Sequence, residues 1–153
     1  IRAGKENIIV LRTFSKAYGL AGLRCGLGIG RREHIDMLER VRIPFSVNTA
    51  AQTAAIAALA DPDHVARAVA LNTRELAHLE TGLHHLGLSF LSSQANFILA
   101  DIGQDAACVT QRLLREGIIV RAFPHPRLNT MLRITTGTAE QNEHFLQALA
   151  RVL

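Results

Sequence analysis

Apolar residues recur along this chain first in a strand rhythm, then in helical ones, then in alternation of the two. Asn7 to Phe14 is β-branched and aromatic with almost no charge, the pattern of a strand buried on both faces of a mostly parallel sheet. Gly19, Gly22 and Gly26 punctuate the next dozen residues and predict a sharp excursion that returns into a second apolar strand, Cys25 to Ile29. Helical spacing follows. Arg32 to Arg42 sets Ile35, Leu38 and Val41 on one face and is ended by Pro44, and Asn48 opens an alanine-rich helix to Leu59 whose small side chains permit close packing. Asp61 is placed to cap the longest helix, with Pro62 at its first position. Val65, Val69, Leu76, Leu79, Leu83 and Leu86 recur near a 3.6 period until Gly87 stops it. About 23 residues of helix span roughly 35 Å, a length suited to bridging two domains.

From Leu88 the pattern becomes α+β. Strands are predicted over Ser89 to Leu91, Asn96 to Ala100, Ile118 to Ala122 and Met131 to Thr135, and a helix over Asp105 to Glu116, stopped by Gly117. Thr138-Ala139-Glu140-Gln141 is a capping box ahead of a final helix with Phe145, Leu149 and Val152 on one side. The segment from Arg121 to Met131 carries Pro124, Pro126 and Asn129 and reads as a loop.

Composition narrows the classes. Hydrophobic residues make up 48% of 153 residues, enough for one good core, and no apolar run approaches the roughly 20 residues of a membrane helix. A soluble protein with no membrane partner is expected, in the cytoplasm by default, since Cys25 and Cys108 make neither a disulfide framework nor metal-ligand spacing. The seven histidines, His34, His64, His78, His84, His85, His125 and His144, form no ligand grouping, and no metal is assigned. The net charge of +4 raises the question of nucleic acid. Arginines interspersed with acids along helices, and only 5% aromatic residues, argue instead for solvated faces and no nucleic-acid partner.

One segment concentrates chemistry. In Thr13-Phe14-Ser15-Lys16, followed by Gly19, Gly22 and Arg24, a lysine lies just past the end of an apolar strand, where open α/β sheets meet their ligands. Lys16 is a candidate to join an aldehyde cofactor such as pyridoxal phosphate, while Thr13, Ser15 and Arg24 supply the donors and positive charge that a phosphate ester requires. Taken singly, a lysine or an arginine is most often a surface feature. The joint pattern, with its eight-residue step from Lys16 to Arg24 and its strand context, is what favours a site.

The run from Asn7 to Gly26, in particular Leu-Arg-Thr-Phe-Ser-Lys-Ala-Tyr-Gly-Leu-Ala-Gly-Leu-Arg-Cys-Gly, resembles the signature of the fold-type I pyridoxal-phosphate enzymes, and within them the class-II aminotransferases of the histidinol-phosphate aminotransferase branch. The resemblance runs across essentially the whole chain and implies the carboxyl-terminal part of such an enzyme. The chain opens on Ile1 and enters a strand almost at once, so a fragment of a longer enzyme is expected. The implied fold class is α/β: residues 1–60 as the end of the large cofactor-binding domain and its sheet, 61–87 as a long linking helix, and 88–153 as a small α+β domain. The upstream portion of the family carries the aromatic residue on the cofactor ring, the asparagine and aspartate on its polar atoms, and a tyrosine reaching across a homodimer. None of these is assigned here.

By the same resemblance Lys16 is the lysine bonded to the cofactor and the base that moves the substrate's α-proton, with Ser15 and Arg24, and less directly Thr13, on the phosphate. Two arginines of the second domain fall within predicted strands. Period two would turn Arg133 to solvent while Leu132 and Ile134 face the core, yet Leu-Arg-Ile-Thr-Thr-Gly-Thr resembles the family's carboxylate-binding motif and implies that Arg133 clamps an anionic group. Arg121, in Ile-Val-Arg, is implied for the substrate phosphate, and Asn96, otherwise a turn residue before a strand, for a position near the substrate. The implied activity is ping-pong transamination between histidinol phosphate and 2-oxoglutarate. The alternatives are another amino acid or amino phosphate, including decarboxylation of threonine phosphate, and an inert structural fragment.

Overall fold

The computed structural model describes residues 6–153; Ile1, and with it the start of the domain expected over 1–60, lies outside the described residues. The chain divides into two compact units, one running to Ala68 and the other comprising Val69–Leu153, so that the division falls inside the long helix.

In the first unit β1 (Val10–Thr13) and β2 (Gly26–Ile29) form an antiparallel pair, with Val10 opposite Ile29 and Thr13 opposite Gly26. This corrects the expectation of a doubly buried strand over Asn7 to Phe14 in a parallel sheet. The chain reverses between the strands through a 3-10 turn, Ala21–Leu23, without the helical crossover that a parallel pair needs. Neither face of the pair is closed over: Leu11 is 77% exposed and Ile29 48%. Gly26 is fixed by close approach, because a Cβ there would lie 2.8 Å from the carbonyl oxygen of Arg12.

Helix α1 (Arg32–Val41) forms where the pattern predicts, but it buries none of its residues, and the apolar face expected at Leu38 and Val41 stands open. Helix α2 (Thr49–Leu59) is capped by Asn48, whose Oδ1 accepts the Ala51 N–H at 2.9 Å. Its alanines do what their size allows. Ala51 and Ala55 pack directly beneath Phe14 and Cys25, with Tyr18, Leu20, Leu23 and Val47 around them.

Helix α3 (Pro62–His85) begins at the Asp61 cap, where Oδ1 accepts the His64 N–H at 3.0 Å, and ends at Gly87 in the left-handed region, φ +74°. In the second unit β3 (Ser89–Leu91), β4 (Phe97–Asp101), β5 (Arg121–Ala122) and β6 (Met131–Thr135) make an antiparallel sheet in the order β3-β4-β6-β5. Alternation then decides the core. Ile98 and Ala100 of β4 and Leu132 and Ile134 of β6 turn one way, onto Leu76, Leu79 and Leu83 of α3, Val109 and Leu113 of α4 (Ala106–Arg115), and Phe145 and Leu149 of α5 (Ala139–Val152). The strand expected over Ile118 to Ala122 shortens to its last two residues, because the Ile118 N–H bonds back to the Leu113 carbonyl at 3.0 Å in the turn that closes α4. The capping box at Thr138 and Gln141 forms as expected. Beneath it lies a buried polar chain: Glu75 accepts from Arg74 Nε at 2.9 Å and from Asn142 Nδ2 at 3.0 Å, and Asn142 Oδ1 accepts the Gly137 N–H at 2.9 Å.

Candidate active site

The first unit gathers four of the sequence-predicted residues at one end of the β1–β2 pair. The ladder continues one step past Thr13, where the Phe14 N–H donates to the Cys25 carbonyl at 3.1 Å; immediately beyond this rung stand Ser15 and Lys16 on one strand and Arg24 on the other. Thr13 and Ser15 form a local relay. The Ser15 N–H donates to Thr13 Oγ1 at 3.1 Å, and the Thr13 hydroxyl donates to Ser15 Oγ at 2.9 Å. Ser15 therefore keeps its own hydroxyl proton for an external acceptor.

Lys16 is exposed and sits at the head of a tight turn in which the Gly19 N–H donates to its carbonyl at 2.8 Å, with Gly19 at φ +71°. Arg24 occupies the left-handed region at φ 54°, uncommon for a residue with a side chain, and its guanidinium donates to the Ala21 carbonyl at 2.8 Å. Two hydroxyls and a guanidinium, without a carboxylate among them, form an anion-seeking set next to one amine, that of Lys16. The donors suit a phosphate ester carrying an aldehyde.

The second unit pairs the other two cations. Arg121 of β5 lies directly opposite Arg133 of β6, on the sheet face turned away from the helices. Like charges facing each other across a ladder repel, and among the described residues no Asp or Glu pairs with either. Each guanidinium lies instead against an aromatic ring, Arg133 5.0 Å from the centre of Phe97 and Arg121 5.7 Å from that of Phe123. Arg133 Nε is buried and has no hydrogen-bond partner. Alternation thus places Arg133 on the face opposite the core, where it is nonetheless half-buried. Asn96 stands just before β4 with its carbonyl accepting the Thr136 N–H at 3.0 Å, while the residue itself is exposed. A cavity of about 270 Å³ in this unit, lined by Ile118, Thr135, Gly137, Asn142 and Phe145 among others, takes in none of the site residues expected from sequence.

Two contributors escaped the sequence reading. Tyr18 packs on Phe14, with ring centres 4.9 Å apart, and Phe97 lies under Arg133. The available signals were an aromatic two residues either side of Lys16 and an aromatic on the strand neighbouring Arg133.

The chain belongs to the aminotransferase class I and II family, whose model matches residues 2–149. It is 50% identical over 151 residues to histidinol-phosphate aminotransferase 2 of Pseudomonas aeruginosa, a match covering 99% of this chain and 41% of that relative. Among solved structures it is similar to histidinol-phosphate aminotransferase from Sinorhizobium meliloti in complex with pyridoxal-5'-phosphate (TM-score 0.86, 33% identity, 97% of this chain and 42% of that one). It is also similar to L-threonine-O-3-phosphate decarboxylase from Porphyromonas gingivalis (TM-score 0.86, 27% identity, 97% of this chain and 47% of that one). The chain therefore spans about two fifths of the curated relative's length, 41%, and its fold is that of the corresponding part of these solved structures.

Proposed function

We propose that the chain is the lysine-bearing and small-domain part of a pyridoxal-phosphate-dependent aminotransferase that takes histidinol phosphate as amino donor and 2-oxoglutarate as acceptor. The observation that carries this reading is the grouping of Lys16 with Thr13, Ser15 and Arg24 at the end of one strand pair. Bound pyridoxal phosphate supplies an aldehyde for the lysine amine and an electron-withdrawing ring that makes the substrate's α-proton acidic. Ser15, through its free hydroxyl proton, and Arg24, through its guanidinium, hold the phosphate. Thr13 orients Ser15 more than it binds. With the cofactor held there, Lys16 Nζ would take the proton from the substrate α-carbon and deliver it to the carbon that was the cofactor's aldehyde. Arg133 binds the carboxylate or phosphate of either substrate through its fork, Arg121 adds charge for the donor's phosphate, and Asn96 borders the substrate.

The sequence identity to a histidinol-phosphate aminotransferase supports this donor, and the likeness to a threonine-phosphate decarboxylase keeps an amino-phosphate decarboxylation as the second reading. In either case the protein is read as a homodimer subunit of the cytoplasm acting on small molecules. A panel of amino donors with 2-oxoglutarate separates the readings: histidinol phosphate is expected to give glutamate, whereas carbon dioxide from threonine phosphate without glutamate would replace the first reading by the second. Absence of any visible absorbance change on adding pyridoxal phosphate would reduce the chain to a structural fragment.

A further inference from the structure

We infer that Tyr18 is a positioning residue for Lys16, acting through its ring and not through its hydroxyl; the inference rests on the cofactor reading above. From Phe14 to Tyr18 burial falls and returns: Phe14 is 4% exposed, Ser15 half-buried, Lys16 exposed, Ala17 and Tyr18 half-buried. The two aromatics lie two residues either side of the lysine and meet at 4.9 Å with a 51° tilt, so the backbone carrying Lys16 is bowed over their contact. The bow is pinned at its base. The Phe14 N–H donates to the Cys25 carbonyl and the Phe14 carbonyl accepts the Leu20 N–H at 2.9 Å, while the Gly19 N–H closes onto the Lys16 carbonyl.

Beneath the rings lie Ala51 and Ala55 of α2, whose lack of side-chain bulk lets the aromatics settle against the helix. Tyr18 is the member of this clamp held by no backbone bond to the strand pair, and its ring contact is what stops the turn from swinging the amine away from Ser15 and Arg24. The tyrosine hydroxyl has no hydrogen-bond partner among the described residues, which assigns the role to the ring.

These 153 residues hold two lysines, Lys5 and Lys16, so label at Lys16 is read against Lys5 and any lysine elsewhere in the polypeptide. Lys16 Nζ condenses with the aldehyde, releasing water, and borohydride delivers hydride to the carbon–nitrogen double bond and fixes the adduct for peptide mapping. The polypeptide as the cell makes it is labelled with pyridoxal phosphate and, separately, with pyridoxal, which lacks the phosphate. In the wild type the phosphate form labels Lys16 preferentially. Tyr18→Ala is expected to reduce that preference about two- to twelvefold, the factor that an aromatic pair contributes, while Tyr18→Phe restores it. Circular dichroism confirms that both variants remain folded. A wild type with no preferential label at Lys16 overturns the cofactor reading itself. A wild type that labels normally, with Tyr18→Ala unchanged or Tyr18→Phe as impaired as Tyr18→Ala, overturns the positioning role alone.

Discussion

Single side chains carry the account at its smallest scale. Arg133 is the clearest case, a half-buried guanidinium whose Nε has no partner, facing a second arginine across the ladder. Such a group is stabilised by an anion, which under the proposed function a substrate carboxylate or phosphate would supply. Arg133→Gln keeps the shape and removes the charge. It is expected to lower kcat/KM for both donor and acceptor about a hundredfold, as the loss of roughly 3 kcal/mol of charge-assisted hydrogen bonding implies, with cofactor absorbance retained. Glu75 presents the opposite situation, a buried carboxylate held below its ordinary value of 4.5 first by the Arg74 hydrogen bond and then by that of Asn142. A depressed carboxylate stabilises the fold fully above its unfolded value, and that contribution is lost as pH falls from 4.5 toward the lower folded value. Glu75→Gln is therefore expected to make acid unfolding of the second unit less steep below pH 4.5, measured by circular dichroism against pH.

At the scale of elements, caps and close approaches decide where the chain turns. Thr138 closes a capping box, and Thr138→Ala is expected to cost about 1 kcal/mol in denaturant unfolding. Gly26 stands where a Cβ would meet backbone, which cannot move aside as a side chain tip can, so Gly26→Ala is expected to cost about 1–3 kcal/mol and to weaken labelling at Lys16 by spreading the ladder that carries it. Much of this scale was legible in the residues themselves. Asn48, Asp61, Asp105 and Thr138 announced helix starts because their side chains bond locally, within three residues. Pairing direction was not legible: an uncharged strand looks alike in a parallel and an antiparallel partner, and only the route of the return decides. Ile118 and Ile119 fit a strand by composition but were held by the helix-closing turn, a hydrogen-bond choice that hydrophobic pattern does not encode.

Across the whole molecule the two units differ in how much apolar surface they enclose. The second carries one continuous core from Leu76 to Leu149. The first leaves Leu11, Val41, Ile43 and Phe45 open at 77, 78, 76 and 98%. Surfaces of that kind belong to interfaces, so the 153-residue chain on its own is expected to associate in a concentration-dependent way, with Val41→Lys and Phe45→Ser together reducing scattering at equal concentration. The open faces of β1 and α1 follow the same logic, since periodicity reports that a face is apolar and not which segment covers it. The lysine motif was legible because hydroxyls, glycines and an arginine at fixed steps leave few other chemical uses. The aromatic clamp was not, because Phe14 and Tyr18 become neighbours only once the turn at Gly19 has formed.

The most direct test of the central claim is borohydride reduction of the pyridoxal-phosphate complex followed by peptide mapping, in the polypeptide as the cell makes it. Label is predicted on Lys16 in preference to Lys5 and to any lysine elsewhere in the polypeptide, abolished there by Lys16→Ala and weakened by Arg24→Gln. Label confined to lysines other than Lys16, or none in a protein that transaminates, would contradict Lys16 as the cofactor-bound residue.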